Sequence, residues 1–355
     1  MATPHFFSDD SFWNTPLNPG LSEDPQSDRW ISLLKEAQLK THRYVGLHLN
    51  LHAWTVPLFE SSPSTKKVPV APKILDCPLS QGHRIASAPY FHSQHPYGIH
   101  SSVKNGIPIP PKAAPDVEED AHMVIIDRQE NKVYDMWQLR QGEDGQWASN
   151  AAIAYDLKGS GVFSAETIAG IHHGESIHYY GPCRATGVPL VAGLILQEEI
   201  LNGEIPHKLV YACGVEGLER FVSPAIWTDG WLPGGVPAGS ILQLDPLFPL
   251  ESLSLSPAAK VVARALQKYG AVLADNAGGV TLYGESLSST KKSWTSLLEE
   301  DDLRNLDMSY FRIVETGPLQ KGGSHPVYHH GMSLSYYNYI KTHGSACLKD
   351  YHSVP

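Results

Sequence analysis

Residues 122–139 read His-Met-Val-Ile-Ile-Asp-Arg-Gln-Glu-Asn-Lys-Val-Tyr-Asp-Met-Trp-Gln-Leu, and this stretch decides the fold class. His122 to Asp127 and Lys132 to Leu139 are rich in β-branched and aromatic residues, with the polar run Arg128 to Asn131 between them. That pattern predicts a β-hairpin. Around it, 27 Pro, 30 Gly and only 18% charged residues suit short strands joined by tight turns better than a helical bundle. The expectation is a mainly β protein. It is a β-sandwich or barrel-like single domain over residues 1–320, decorated by about three α-helices, with a His- and Tyr-rich tail over 321–355 packed on its surface.

Upstream, Leu47-His48-Leu49-Asn50-Leu51-His52-Ala53-Trp54-Thr55-Val56 alternates strictly. Successive side chains on a strand point to opposite faces. Leu47, Leu49, Leu51 and Ala53 then share a core face. His48, Asn50, His52 and Trp54 share the other, which resembles the polar wall of a pocket; the alternative is an exposed strand whose polar side is His-rich. A first helix is expected over 28–39 with Ser27 as its cap, and a second from Pro189 through Leu201, stopped by Gly203. A third is capped by Ser256, opened by Pro257 and ended by Gly270, with Val261, Val262, Ala265 and Leu266 on its apolar face. A short helix is expected over 300–305. Further strands are expected over 147–157, 207–212, 240–244, 271–274, 280–283 and 310–314.

Charge and motifs narrow the function. The net charge of −10, with no basic run longer than Lys66-Lys67 or Lys291-Lys292, argues against a nucleic-acid partner. The longest apolar stretch, Val188 to Leu196, is too short to span a bilayer, so no membrane partner is expected. Cys77, Cys183, Cys213 and Cys347 form no CxxC and read as buried free thiols. The start, Met1-Ala2-Thr3-Pro4-His5, lacks the basic and apolar regions of a signal peptide, and no glycosylation sequon occurs; a soluble, cytoplasmic protein is the expectation. G-x-S-x-G, P-loop, HExxH and G-x-G-x-x-G motifs are all missing, so no cofactor is implied. Ile171 to His178 has the composition of a metal site in His172, His173, Glu175 and His178. Its spacing matches no standard motif, however, and a His-rich loop with no metal is expected there, as for His329-His330 and His343 in the tail.

What remains is a set of polar residues in segments built for burial. Asp120 and His122 are two apart and would share a strand face, an arrangement suited to proton transfer near neutral pH; they also suit the closing of a loop. Asp275-Asn276 ends the strand after the third helix, a frequent place for functional groups and equally for a turn. Thr228-Asp229-Gly230 lies between Trp227 and Trp231, where aromatics around a carboxylate suit stacking on a sugar ring or a π-system, and Asp-Gly also suits a plain turn.

Several segments together resemble a large, poorly characterised microbial family. They are Ser11-Phe-Trp-Asn-Thr-Pro16, Pro108-Ile-Pro-Pro111, Asp120-Ala-His122 leading into the hairpin, Tyr134-Asp-Met-Trp137, and Ala152-Ile-Ala-Tyr-Asp156-Leu157. Ala185-Thr-Gly-Val-Pro189-Leu-Val-Ala-Gly193, Ala263-Arg-Ala-Leu-Gln-Lys-Tyr-Gly270 and Ala274-Asp275-Asn276 continue it, colinear to about residue 317. Many bacterial members look secreted, which implies extracellular glycans, whereas this chain resembles a fungal cytosolic offshoot. Arg184 stands where relatives often have Asp or Thr. The resemblance implies no particular activity. The combined expectation is a cofactor-independent enzyme acting on a small oxygenated organic molecule as a lyase, isomerase or cyclase of specialised metabolism. His122, Asp120 and Asp229 are its candidate catalytic residues. His48, Asn50, His52, Trp54, Trp137, Arg184, Asp275 and Asn276 are its candidate substrate contacts. A carbohydrate-active lyase or hydrolase, and a non-catalytic glycan- or ligand-binding module, are the alternatives.

Overall fold

The computed structural model describes residues 5–72, 74–76, 84–86, 99–149, 151–163, 182–226, 228–230, 232–288 and 290–321. Strands dominate. The first half carries β1 (His48–Asn50), β2 (Val56–Glu60), β3 (Val70–Pro72), β4 (Ile74–Asp76), β5 (Arg84–Ala86), β6 (Met123–Asp127), β7 (Lys132–Trp137), β8 (Arg140–Gln141), β9 (Trp147–Ser149) and β10 (Ala151–Asp156). The second half adds β11 (Leu209–Cys213), β12 (Glu216–Phe221), β13 (Val236–Ala238), β14 (Ile241–Leu244), β15 (Ala271–Asn276), β16 (Thr281–Tyr283), β17 (Glu285–Ser286), β18 (Phe311–Val314) and β19 (Gln320–Lys321). Among the described residues the α-helices are α1 (Ser27–His42), α2 (Gln197–Asn202) and α3 (Pro257–Lys268).

Two sheets organise the molecule. One runs β1-β16-β11-β15-β14-β18 and the other β10-β7-β6-β2-β17; smaller sheets pair β13-β12-β19, β3-β9-β8 and β4-β5. None of these closes on itself, so the protein is a mainly β assembly of open layers and the barrel-like option is set aside. Period-two alternation sets the layers. Leu209, Tyr211 and Cys213 of β11, with Leu273 of β15 and Leu242 of β14, pack against Trp30 and Leu34 of α1 and Val262 and Leu266 of α3. The intervening residues Val210, Ala212, Val272, Ala274 and Ile241 face a second core. That core also holds Val124 and Ile126 of β6, Val133 of β7 and Ile153 of β10, so it lies between the two large sheets. Met123, Ile125, Tyr134 and Met136 point the other way, onto Ile107 and Ile109.

The hairpin forms as expected, with Met123 to Asp127 antiparallel to Lys132 to Met136. Helix α3 follows its end signals. The Ser256 hydroxyl accepts from the Ala259 N–H, Pro257 occupies the first turn, and Gly270 takes a left-handed φ of 72°. Helix α1 runs longer than 28–39, ending at Arg43 in the left-handed region. Ser27 is not its cap, because its hydroxyl is engaged by the Ile313 N–H of β18.

Several expected elements are corrected. The strand over 47–56 is broken into β1 and β2, which belong to different sheets, with bends at 51–55 and a φ of 54° at Trp54. β1 pairs with β16 and β2 with β17, both in parallel, so two neighbouring stretches of chain pass from one sheet to the other side by side. The Thr55 hydroxyl donates to the Gly284 carbonyl across that crossing. The expected strand over 147–157 is likewise divided, β9 and β10 lying in different sheets. Residues 299–306 make successive i→i+3 turns and no helix.

The second helix begins only at Gln197, though Gly203 ends it in the left-handed region as expected. Val188 to Leu196 is instead an irregular segment, buried throughout between the two sheets. It is apolar on every side, so periodicity carries no helical signal there. Gly193 sits at a φ of 66°, where a Cβ would stand 2.5 Å from the Val210 nitrogen. Gly193→Ala is therefore expected to lower stability by about 2–4 kcal/mol, through the left-handed backbone and the clash with β11. Urea unfolding checks this, and an unchanged midpoint would contradict the packing described.

Candidate active site

The hairpin, the segment after residue 182 and the end of β15 bring polar side chains to one place. Asp120 and His122 do not lie on β6 but just before it, with Ala121 between them at a φ of 40°. They therefore do not share a strand face, yet they remain neighbours. The Trp137 indole N–H donates to Asp120 Oδ1 at 3.2 Å, and the Gln138 N–H donates to the Asp120 carbonyl at 2.8 Å. His122 is 6% exposed and its ring bonds the backbone of Cys183. Burial, opposed by Asp120 and reinforced by Arg184, lowers its pKa to about 4, so the imidazole is neutral at pH 7.

Asp135 occupies the middle of β7 on the face turned to the first sheet. Its Oδ1 accepts from the Tyr155 hydroxyl at 2.7 Å and its Oδ2 from the N–H groups of Leu190 (2.8 Å) and Cys183 (3.4 Å). Burial outweighs these donors and pushes its pKa up to about 6. The carboxyl thus ties the 183–190 segment to β7 and sets the place of Arg184.

Arg184 is 0% exposed. Its Nη2 donates to the Leu190 carbonyl at 3.3 Å, its Cζ lies 4.4 Å over the Tyr283 ring, and its Nη1 stands 3.9 Å from Asp275 Oδ2. Asp275 and Asn276 close β15 beyond a β-bulge opposite Tyr211 and Ala212, and such an extra residue re-aims the side chains that follow. The Asp229 carboxyl takes a hydrogen bond from the Asn276 side chain. Behind Asp229 lies Glu216, wholly buried, 2.5 Å from the Thr228 hydroxyl that donates to its Oε1. The turn fits so closely that a Cβ on Gly230 would stand 2.6 Å from the Gly217 carbonyl oxygen.

These carboxyl groups are hard to ionise together. Burial raises Asp275 well above the usual carboxylate range, Asp229 and Asp120 add to it, and the pull of Arg184 does not reverse it. Burial and then Asp229 raise Glu216, and burial raises Asp229 against the help of Asn276. Glu216 Oε2, Asp229 Oδ1, Asn276 Oδ1, and Arg184 Nε and Nη1 are buried with no hydrogen-bond partner among the described residues. Asp120, Trp137, Asp229, Asp275 and Asn276 are only half-buried, so solvent reaches the cluster. Among the described residues no group of three or more His, Cys, Asp or Glu side chains is arranged to hold a metal ion.

The sequence-based candidates thus divide. Asp120, His122, Trp137, Arg184, Asp229, Asp275 and Asn276 come together. The His48, Asn50, His52 and Trp54 wall does not form, because the strand meant to carry it breaks. His48 stacks on His42 with ring centroids 4.1 Å apart and bonds the Tyr44 hydroxyl, while His52 and Trp54 are exposed, Trp54 at 44%. Asn50 lies opposite Tyr283 in register, but its amide bonds the Trp54 carbonyl. None of the four lines the surface cavities of about 1060 Å³ at Phe7, Leu58 and Arg128 or about 460 Å³ at Leu201 and Val261. Asp156 is exposed at the end of β10. Trp227, Trp231, the 171–178 run, Cys77, Cys347 and the tail from 322 lie outside the described residues. Sequence reading missed Asp135, Glu216 and Tyr283; an Asp within an otherwise apolar hairpin strand is the one signal that marked any of them.

Compared with known proteins, the chain matches no family model, no curated protein and no solved structure. The site therefore has to be interpreted from its own chemistry.

The neutral His122 has a consequence for stability. Its folded pKa, about 4, lies below the ordinary 6.5, so the unfolded chain binds more protons between these values. The contribution is full above pH 6.5 and is lost as pH falls through 4. Asp135, raised to about 6, acts in the opposite sense, losing its contribution as pH rises through 6. His122→Gln is expected to flatten the acid side of the stability profile by on the order of 3 kcal/mol relative to wild type. Denaturant titrations from pH 7 to 4 read the difference, and parallel profiles would refute the assignment.

Proposed function

We propose that this chain is a cofactor-independent enzyme that moves protons on a small oxygenated organic molecule, as a lyase, isomerase or cyclase. The observation that carries the reading is the cluster of Glu216, Asp229 and Asp275, all raised above the usual carboxylate range by burial and by neighbouring carboxyl groups, with Asp275 facing the buried guanidinium of Arg184. A carboxylic acid that keeps its proton near neutral pH is a general acid. Asp229, half-buried and backed by Glu216, is the proton donor in this reading. Asp120, fixed by Trp137, is the complementary base. His122 is neutral and buried, so its role is to hold the Cys183–Arg184 backbone rather than to exchange protons with substrate. The buried free thiols Cys183 and Cys213 support a cytoplasmic setting.

A carbohydrate-active reading draws on one observation, that Asp229 and Asp275 reach the site from separate segments, as paired carboxyl groups do in glycosidases. Incubation in D₂O with small hydroxy acids, hydroxyketones and lactones, followed by proton NMR, separates the two. Exchange of carbon-bound hydrogen or a new alkene signal is expected, falling about 10²-fold or more in Asp229→Asn. Cleavage of a neutral oligosaccharide without such exchange would favour the carbohydrate reading. Saturable binding with no turnover of any compound would make the protein a binding module.

A further inference from the structure

We propose that Arg184 is the binding site for the carboxylate of an anionic, oxygen-rich substrate, which it presents to the neighbouring acid cluster. This rests on the acid–base reading above and names the substrate class of that same site. Arg184 is wholly buried, and a guanidinium cannot shed its charge to escape that setting. A buried charge without close partners is costly, so its surroundings should supply an anion. The protein supplies little by direct contact: the Asp135 carboxyl acts on it only electrostatically, its oxygens being taken by Tyr155, Leu190 and Cys183. One nitrogen bonds a carbonyl, the Tyr283 ring covers one face, and the nearest carboxyl oxygen of Asp275 stands at 3.9 Å, beyond hydrogen-bond distance. Nε and Nη1 have no hydrogen-bond partner among the described residues, and neither does Oδ1 of Asn276 next to Asp275.

The planar guanidinium matches a carboxylate in shape and charge. A phosphate monoester carries nearly two negative charges at neutral pH and would face Asp120, Asp229 and Asp275 at once, so a singly charged carboxylate fits better. Pairing at Arg184 also makes the hydrogen on the adjacent carbon more acidic, because it lowers the cost of the enolate charge. The substrate class is then a hydroxy acid or a uronate-like sugar acid, with hydroxyl groups for the acids to bond.

Isothermal titration of the full chain with D-galacturonate, malate and acetate tests this, with D-galactose as the neutral counterpart and inorganic phosphate as the rival anion. At least one carboxylate is expected to bind one-to-one. Galacturonate should bind at least about tenfold tighter than galactose, and phosphate more weakly than the carboxylates. Arg184→Gln should weaken binding at least about tenfold and Arg184→Lys less. If Arg184→Gln does not fold, the galacturonate–galactose comparison in the wild type decides alone. No saturable binding by any of the three carboxylates, equal affinity for galactose, or a preference for phosphate would overturn the proposal. The same titrations on Asp229→Asn should still show carboxylate binding. Binding retained there while no compound exchanges hydrogen in the wild type would sink the enzymatic reading and leave the carboxylate site standing.

Discussion

Everything at the site depends on one buried carboxyl group. Asp135 stands in a strand whose other inward-facing side chains, Val133 and Trp137, pack into the apolar core, and it satisfies two backbone N–H groups and a phenol at once. Those N–H groups belong to a segment with no regular structure of its own, lodged between two sheets where water cannot satisfy it. Unpaired, they would cost about 1–3 kcal/mol each. The carboxyl therefore acts as a local substitute for a strand partner. Arg184, Thr186 and the turn bearing Asp229 follow from that anchorage, because the Thr186 hydroxyl bonds the Ala274 carbonyl and its own carbonyl takes the Ile226 N–H.

The same segment explains the electrostatics. A single guanidinium lies near the carboxyl groups of Asp135 and Asp275, and Coulomb attraction alone would ionise them. Burial works against that. Asp275 is only 16% exposed at its side chain and has two other acids for neighbours, so the penalty of a further negative charge exceeds what a cation at 3.9 Å returns. The balance leaves acids that are harder to ionise than usual beside a cation with few direct contacts.

How much of this was legible in the sequence follows from the range over which each signal acts. The hairpin and α3 were readable because their information is local: alternation, a polar turn, a Ser-Pro start and a glycine stop. The 47–56 run alternated just as well, yet it bends after Asn50, since its two halves are claimed by different sheets through partners more than 200 residues downstream. Val188 to Leu196 was misleading for a related reason, its uniform apolarity reflecting burial on all sides rather than a helical stripe. Among the site residues, Asp120, Asp229 and Asp275 stood out because each interrupts an apolar or glycine-rich context at an element's end. Glu216 gave no such sign, and only the fold of β12 against the 228–230 turn sets it behind Asp229.

The paired crossing near Gly284 has a mechanical meaning. Two chain segments, bonded to each other on both sides of the bend and again through Thr55, leave one sheet and enter the next together. A hinge needs one strand that can swivel; a doubled strap resists both twisting and sliding. The two large sheets are thereby riveted along that edge. Tyr283, the residue before Gly284, is carried by the same strap, so the ring that covers Arg184 is fixed where the two sheets are joined.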